Sequence, residues 1–104
     1  MYTFNLNSGA PNQRFSTVVD SFEFDIELHT AYDLLFASIS VDGTTVKTSG
    51  RCVPSGWLIP YPAYAPEGCG NFRFETRNSE YPNYQNFNTS CFLVYYSKEE
   101  IDKM

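Results

Sequence analysis

Read in steps of two, the stretch Phe22–Leu28 separates into two faces. Phe22, Phe24, Ile26 and Leu28 fall on one side, and Glu23, Asp25 and Glu27 fall on the other. A β-strand points alternate side chains to opposite faces, so this run predicts a strand with one apolar face and one row of carboxylates. The same period recurs along the chain. Tyr2, Phe4 and Leu6 share a side within Tyr2–Asn7, and Gln13–Val19 is rich in Phe, Thr and Val. Leu35, Ala37, Ile39 and Val41 alternate with small polar residues. Asp42-Gly43 then supplies the positive φ angles of a tight hairpin turn, and Val46 and Thr48 carry the return strand to Gly50. Asn71–Arg77 alternates again, with Phe72 and Phe74 expected inside and Arg73, Glu75 and Arg77 outside. Thr89–Tyr96 is apolar on both faces, the pattern of a strand covered on both sides, either central in the core or sandwiched at a subunit contact.

Between these runs lie turn clusters. "NSGAPN" follows the first strand. In residues 52–70, Pro54, Pro60, Pro62 and Pro66 exclude a central strand, because proline has no N–H to give a ladder. Trp57–Ile59 offers a further short strand there. The rest of this segment, and "NSEYPNYQNFN" after it, reads as ordered loop rich in aromatic residues. Ser97 followed by Glu100 has the capping-box spacing and predicts one helical turn at the C-terminus. The expectation is therefore all-β, with about six to eight strands. The expected form is a small antiparallel β-barrel or sandwich with long aromatic and Pro-rich loops and a short C-terminal helical turn.

Composition refines this picture. With 104 residues, the chain suits a single β domain spanning 1–104. A 17% aromatic content is well above that of a disordered chain. Seven Lys and Arg against twelve Asp and Glu give a formal charge of -5. That balance argues against a nucleic-acid-binding role and against an anionic membrane surface. No apolar run is long enough to cross a membrane as a helix. The N-terminal "MYTFNLNSGAPNQ" has no basic n-region and no apolar h-region. No signal peptide is expected, and the chain is expected to remain where it is made. Cys52, Cys69 and Cys91, an odd number without a secretion signal, are expected to be reduced and buried.

The residues offer little reactive chemistry. His29 is the one histidine, at the end of an amphipathic strand, and no spacing pairs a nucleophile with it. Three distant cysteines make a poor zinc site. Glu23, Asp25 and Glu27 stand ~7 Å apart along the strand, a separation that paired glycosidase carboxylates also use, but every alternating acidic strand produces it. A straight strand also holds its oxygens too far apart to converge on calcium. No catalytic, cofactor-binding or metal-ligating residues are assigned. The prolines stiffen the aromatic loops, and Trp57, Tyr61, Tyr64, Tyr81 and Tyr84 are expected to contact other chains, since Trp and Tyr are favoured anchors in protein interfaces. By its residues alone the acidic row reads as a solvated sheet face.

Taken in order, "SGAPNQRF", "FEFDIEL", "SISVDGTTV", "WLIPY", "GCGNFRF" and "YQNFNTSCFLVYYSKEEI" resemble the small baseplate plug proteins of contractile-tailed bacteriophages, the cyanophage-type plug family. The matching residues are Pro11, Asn12, Gln13 and Phe15, then Asp42 and Gly43, then Tyr95 and Tyr96. The resemblance implies a structural virion protein without enzymatic activity, plugging or joining the distal end of the tail tube. It further implies hub, spike and tube proteins as neighbours, a homo-oligomer within the virion, assembly in the bacterial host cytoplasm, and a basic partner or the tube lumen as what Glu23, Asp25 and Glu27 face. It implies no cofactor. A soluble carbohydrate-binding β-sandwich module is the alternative, and it would need coplanar aromatic rings in an open groove; a small enzyme would need a pocket with a shifted pKa.

Overall fold

The computed structural model describes residues 2–54, 56–59 and 68–103. Its strands are β1 (Tyr2–Phe4), β2 (Gln13–Val19), β3 (Phe22–Ala31), β4 (Leu34–Val41), β5 (Thr44–Arg51), β6 (Asn71–Thr76) and β7 (Cys91–Tyr96). A five-residue helix, α1 (Lys98–Asp102), ends the described chain. Among the described residues every strand-to-strand ladder is antiparallel, and the ladders form two sheets, β2-β3-β4-β5 and β1-β7-β6. Among the described residues no ladder joins the sheets. Of the two expected architectures, the sandwich is therefore the one formed and the closed barrel is not.

The larger sheet is a meander of three hairpins. Each turn has two residues with positive φ or a glycine: Asp20-Ser21 (φ 53 and 68), Tyr32-Asp33 (φ 53 and 60) and Asp42-Gly43 (φ 49 and 85). Such turns match the twist of the strands they join. Only the Asp42-Gly43 turn has a recognisable dipeptide. The Tyr32-Asp33 turn closes β3, which runs on past Leu28 to Ala31, where the alternation of apolar and polar residues has already faded.

The core lies between the sheets. Phe24, Ile26, Leu28, Leu35, Ala37, Ile39 and Val41 point inward from β3 and β4, and Phe72, Phe74, Cys91, Leu93 and Tyr95 meet them from β6 and β7. The rings of Phe24 and Phe72 meet edge to face at 4.9 Å, and Phe72 packs on Tyr95 at 5.0 Å. Aromatic pairs favour this offset geometry. β7 is the central strand of its sheet. On its outward side Val94 and Tyr96 are also buried, so the doubly apolar sequence does mark a strand covered on both faces.

Three side-chain amides extend the ladders where the strands stop. Asn71 Oδ1 accepts from the N–H of Ile59 at 2.9 Å, and its Nδ2 donates to the carbonyl of Ile59 at 2.8 Å. This pair, with the Leu58 N–H on Phe72 O and the Trp57–Arg73 bridge, lays Trp57–Ile59 along the edge of β6. Asn88 holds the backbone of Leu6 in the same two-way fashion. Leu6 is buried but lies beyond β1, which ends at Phe4 rather than running to Asn7. Gln13 accepts from Asn7 N–H and donates to Asn7 O and Ala10 O, folding the loop between β1 and β2. Asn12 Oδ1 takes the N–H of Thr30, whose hydroxyl donates to Pro11 O. The "PNQ" stretch thus anchors that loop to the end of β3.

Near the C-terminus, Asn88 adopts φ 67, so β7 starts at Cys91 and not at Thr89. Ser97 and Glu100 form the complete capping box the spacing predicted.

Candidate functional site

The most distinctive surface is the outer face of the larger sheet. Its inner-facing residues fix which way the strands are turned. With Phe24, Ile26 and Leu28 fully buried, Glu23, Asp25 and Glu27 must point away from the core. Register supplies their neighbours: Asp25 lies between Ser16 of β2 and Ser40 of β4, and Glu27 between Arg14 and Ser38. The Ser16 hydroxyl donates to Asp25 Oδ1. Ser40 pairs with Thr45 at 3.2 Å, and Ser38 Oγ accepts from the N–H of Ser49 at 2.9 Å. The result is a surface of carboxylates and hydroxyls, with Arg14 as the cation directly across from Glu27. Among the described residues the ion pairs are Arg73–Glu75, Lys98–Asp102 and Lys103–Glu99, and none involves the row.

At the end of the same face His29 stacks on Phe36 with ring centres 5.2 Å apart. Phe36 is paired in register with Arg51, whose guanidinium lies 4.8 Å over the ring of Tyr81. These contacts were not legible in the sequence, because they depend on the register of the two hairpins and on where the loop carrying Tyr81 lies. Tyr32 at the β3–β4 turn is also exposed, and no turn signal in the sequence marks it.

The aromatic residues of the loops divide. Tyr81 is exposed. Tyr84 is half-buried against the core. Trp57 is half-buried; its ring meets Tyr96 edge-on at 5.7 Å, and the Arg73 guanidinium lies 4.8 Å over both rings. Arg73 is held there by Glu75, which also accepts from the Tyr96 hydroxyl at 2.7 Å. Tyr61 and Tyr64 lie outside the described residues.

Cys52, Cys69 and Cys91 are free and buried. Burial pushes the Cys52 thiol up to about 12 and those of Cys69 and Cys91 up to about 11, from 9.0. A thiol held neutral in this way is a packing group and not a nucleophile. Burial, followed by the hydrogen bond to Asp20, also raises the pKa of the Tyr95 hydroxyl. Among the described residues no group of His, Cys, Asp or Glu is placed to hold a metal ion.

Fold and surface together define a small β-sandwich that presents an acidic, hydroxyl-rich sheet face. The family model described as cyanophage baseplate Pam3 plug gp18 matches residues 1–99, and the chain belongs to that family. The family is a structural baseplate plug, which is not an enzyme class. Membership implies a virion component that interacts with other proteins of the phage baseplate or tail. No curated protein matches the chain.

Proposed function

We propose that this protein closes or joins the distal end of the tail tube, next to the hub and spike proteins, as a non-catalytic structural part. The observation that carries this reading is the plug-family match over residues 1–99. In this reading residues 1–104 act as one β domain, assemble in the host cytoplasm, and occur as more than one copy in the virion. Trp57, Tyr61, Tyr64, Tyr81 and Tyr84 contribute contacts to neighbouring chains, and Tyr81, already exposed, supports that role. Glu23, Asp25 and Glu27 face either a basic row on a neighbour or the passage through the tube. An acidic wall lets a polyanion slide instead of trapping it. The glycan-binding alternative is less well supported, since Trp57 meets Tyr96 edge-on and lies beneath Arg73.

The test is composition and phenotype. Purified particles should contain the chain, and it should fractionate with isolated baseplates. Phage lacking it should yield tails with an open distal end, or particles that lose DNA. Mature infectious particles without the chain would overturn the proposal.

A further inference from the structure

An unpaired strand edge is a template for another strand, and folded proteins blunt such edges. Of the four edges among the described strands, three are blunted. β1 is three residues long. The edge of β6 is flanked by Trp57–Ile59. β5 is interrupted by two register shifts opposite Ala37–Ser40, with Ser49 at φ 46. Among the described residues β2 has none of these devices. It spans seven residues without Pro or Gly and keeps unbroken register with β3, from Gln13↔Leu28 to Val19↔Phe22.

Which backbone groups are free follows from the turn. A two-residue turn at Asp20-Ser21 makes Val19↔Phe22 a hydrogen-bonded pair, and such pairs alternate along an antiparallel ladder. Phe15, Thr17 and Val19 therefore bond to β3, while the N–H and C=O groups of Arg14, Ser16 and Val18 point off the edge. Two observations carry the same parity across β3. The Asp42 N–H reaches Glu23 O at 2.8 Å on the β4 side, and the Thr30 N–H turns to the β2 side, where Asn12 Oδ1 takes it at 3.1 Å.

The side chains beside this edge are also incompletely covered. Phe15, Thr17 and Val19 face inward but are only half-buried, whereas Phe24, Ile26 and Leu28 on the next strand are fully buried. On the outer face Val18 is 68% exposed. Tyr2 is exposed on β1, which borders the same seam: Phe4 of β1 meets Phe15 across it at 5.9 Å.

We infer that the β2 edge receives an extended segment of another baseplate chain, added as a further strand to the larger sheet. This rests on the proposed place of the protein in the baseplate. Strand addition draws affinity from main-chain bonds and specificity from alternate side chains. The incoming segment is apolar at the positions that face Phe15, Thr17 and Val19, closing the seam. Between them it carries Lys or Arg. Set opposite Ser16 or Val18, such a side chain reaches across β2 toward Asp25 and Glu23, two strand spacings or ~9.5 Å away. The acidic row thereby selects the partner's charge.

The test is residue-resolved amide exchange on the free chain and on baseplates isolated from particles. In the free chain, Phe15, Thr17 and Val19 should be protected while Arg14, Ser16 and Val18 exchange fast. In baseplates the latter three should slow by roughly a hundredfold or more. Unchanged exchange at these three residues in baseplates that contain the chain would overturn the inference. So would protection already present in the dilute free chain. Protection that appears only as the free chain is concentrated would assign a second copy in place of another chain, and would also overturn it. Absence of the chain from baseplates would instead overturn the plug reading. As a second arm, Ser16→Pro removes one outward N–H at an edge position that tolerates proline. The folded variant should be lost from particles, and normal incorporation would count against strand addition. If this variant fails to fold, the exchange comparison decides.

Discussion

The hydroxyl of Tyr95 donates to Asp20 Oδ2 at 2.9 Å and accepts from the N–H of Gly70 at 3.1 Å. One side chain on the central strand of the smaller sheet thus holds the β2–β3 turn of the larger sheet and the entry to β6. Gly70 must be glycine for this to form. A Cβ there would sit 2.1 Å from Tyr96 O and 2.4 Å from the Tyr95 hydroxyl oxygen. Tyr95→Phe should keep the ring packing and lose both bonds, costing about 1–3 kcal/mol. Chemical denaturation measures this directly. Asp20→Asn, which keeps an acceptor and tolerates the positive φ, should cost less. Equal losses in the two variants would overturn this order, since a neutral acceptor at residue 20 would then serve Tyr95 no better than the loss of both bonds.

Asn71 is the buried polar residue of the described core, and its amide serves Ile59 in both directions and Phe72 N–H as well. Asn71→Asp keeps the acceptor oxygens but removes the donor to Ile59 O and places a carboxylate against that carbonyl. A loss of about 2–3 kcal/mol is expected, since a buried group left unpaired costs its full desolvation. The Trp57–Ile59 segment should detach first, read as fast exchange of the Leu58 and Ile59 amides. If those amides stay protected, the segment is held by something other than Asn71.

These two sites show where sequence reading stops. The strands were legible because Phe22–Leu28 and Asn71–Arg77 repeat every second residue, and a period is a local property. The orientation of the acidic row was legible for the same reason. The amide clamps were not, since Asn71, Asn88 and Gln13 each act as a rung for a segment whose position depends on the finished fold. At those clamps β1 stops short of Asn7 and β7 starts after Thr89: Leu6 continues the pattern of β1 only through Asn88. Neither were the neighbours Ser16, Ser40 and Arg14 of the acidic row foreseeable, because strand register assigns them.

Tyr32 is the least expected turn residue. It holds φ 53 while 98% exposed, a backbone region that disfavours residues with a Cβ. Asp33 beside it has φ 60. Replacing Tyr32-Asp33 by Asn-Gly, the pair that suits this turn, should stabilise the isolated chain by about 1 kcal/mol. That corresponds to a rise of roughly 4–8 °C in the melting midpoint for a domain of this size. An unchanged or lower midpoint would show that Tyr32 makes a stabilising contact in the folded chain.

The buried thiols set an alkaline limit. An acid whose pKa is raised by folding contributes its full stability below the unfolded pKa and loses it as pH rises toward the folded value. For Cys52 the window runs from 9.0 to about 12, and for Cys69 and Cys91 from 9.0 to about 11. Tyr95, also raised, acts in the same direction. Within the window each thiol should remove about 1.4 kcal/mol per pH unit. Urea midpoints should therefore be flat below pH 9 and fall steeply above it. Cys52→Ala should make the fall shallower by one proton's worth. A slope identical to that of the unaltered chain would mean that Cys52 ionises alike in both states.

Reversal of Glu23, Asp25 and Glu27 to Lys separates folding from assembly. The three side chains lie on the outer face, so the core beneath them is untouched, and surface changes of this kind usually shift stability by less than about 0.5 kcal/mol each. The bond from Ser16 to Asp25 is lost, and Glu27 no longer opposes Arg14, both at exposed positions where such pairs contribute little. The free variant should therefore fold with nearly the same melting midpoint. In the phage the outcomes diverge. If the row pairs with basic residues on a neighbour, the variant is excluded from baseplates, because like charges at an interface cost several kcal/mol. If the row lines the passage, the variant assembles but DNA delivery slows, since three lysines bind phosphate and do so more strongly as salt is lowered. Subunit pairing is the expected result, because the apolar inner face already fixes the strand and leaves the acidic face free for a partner. Particles that both assemble and deliver DNA normally would leave the row as solvated surface alone.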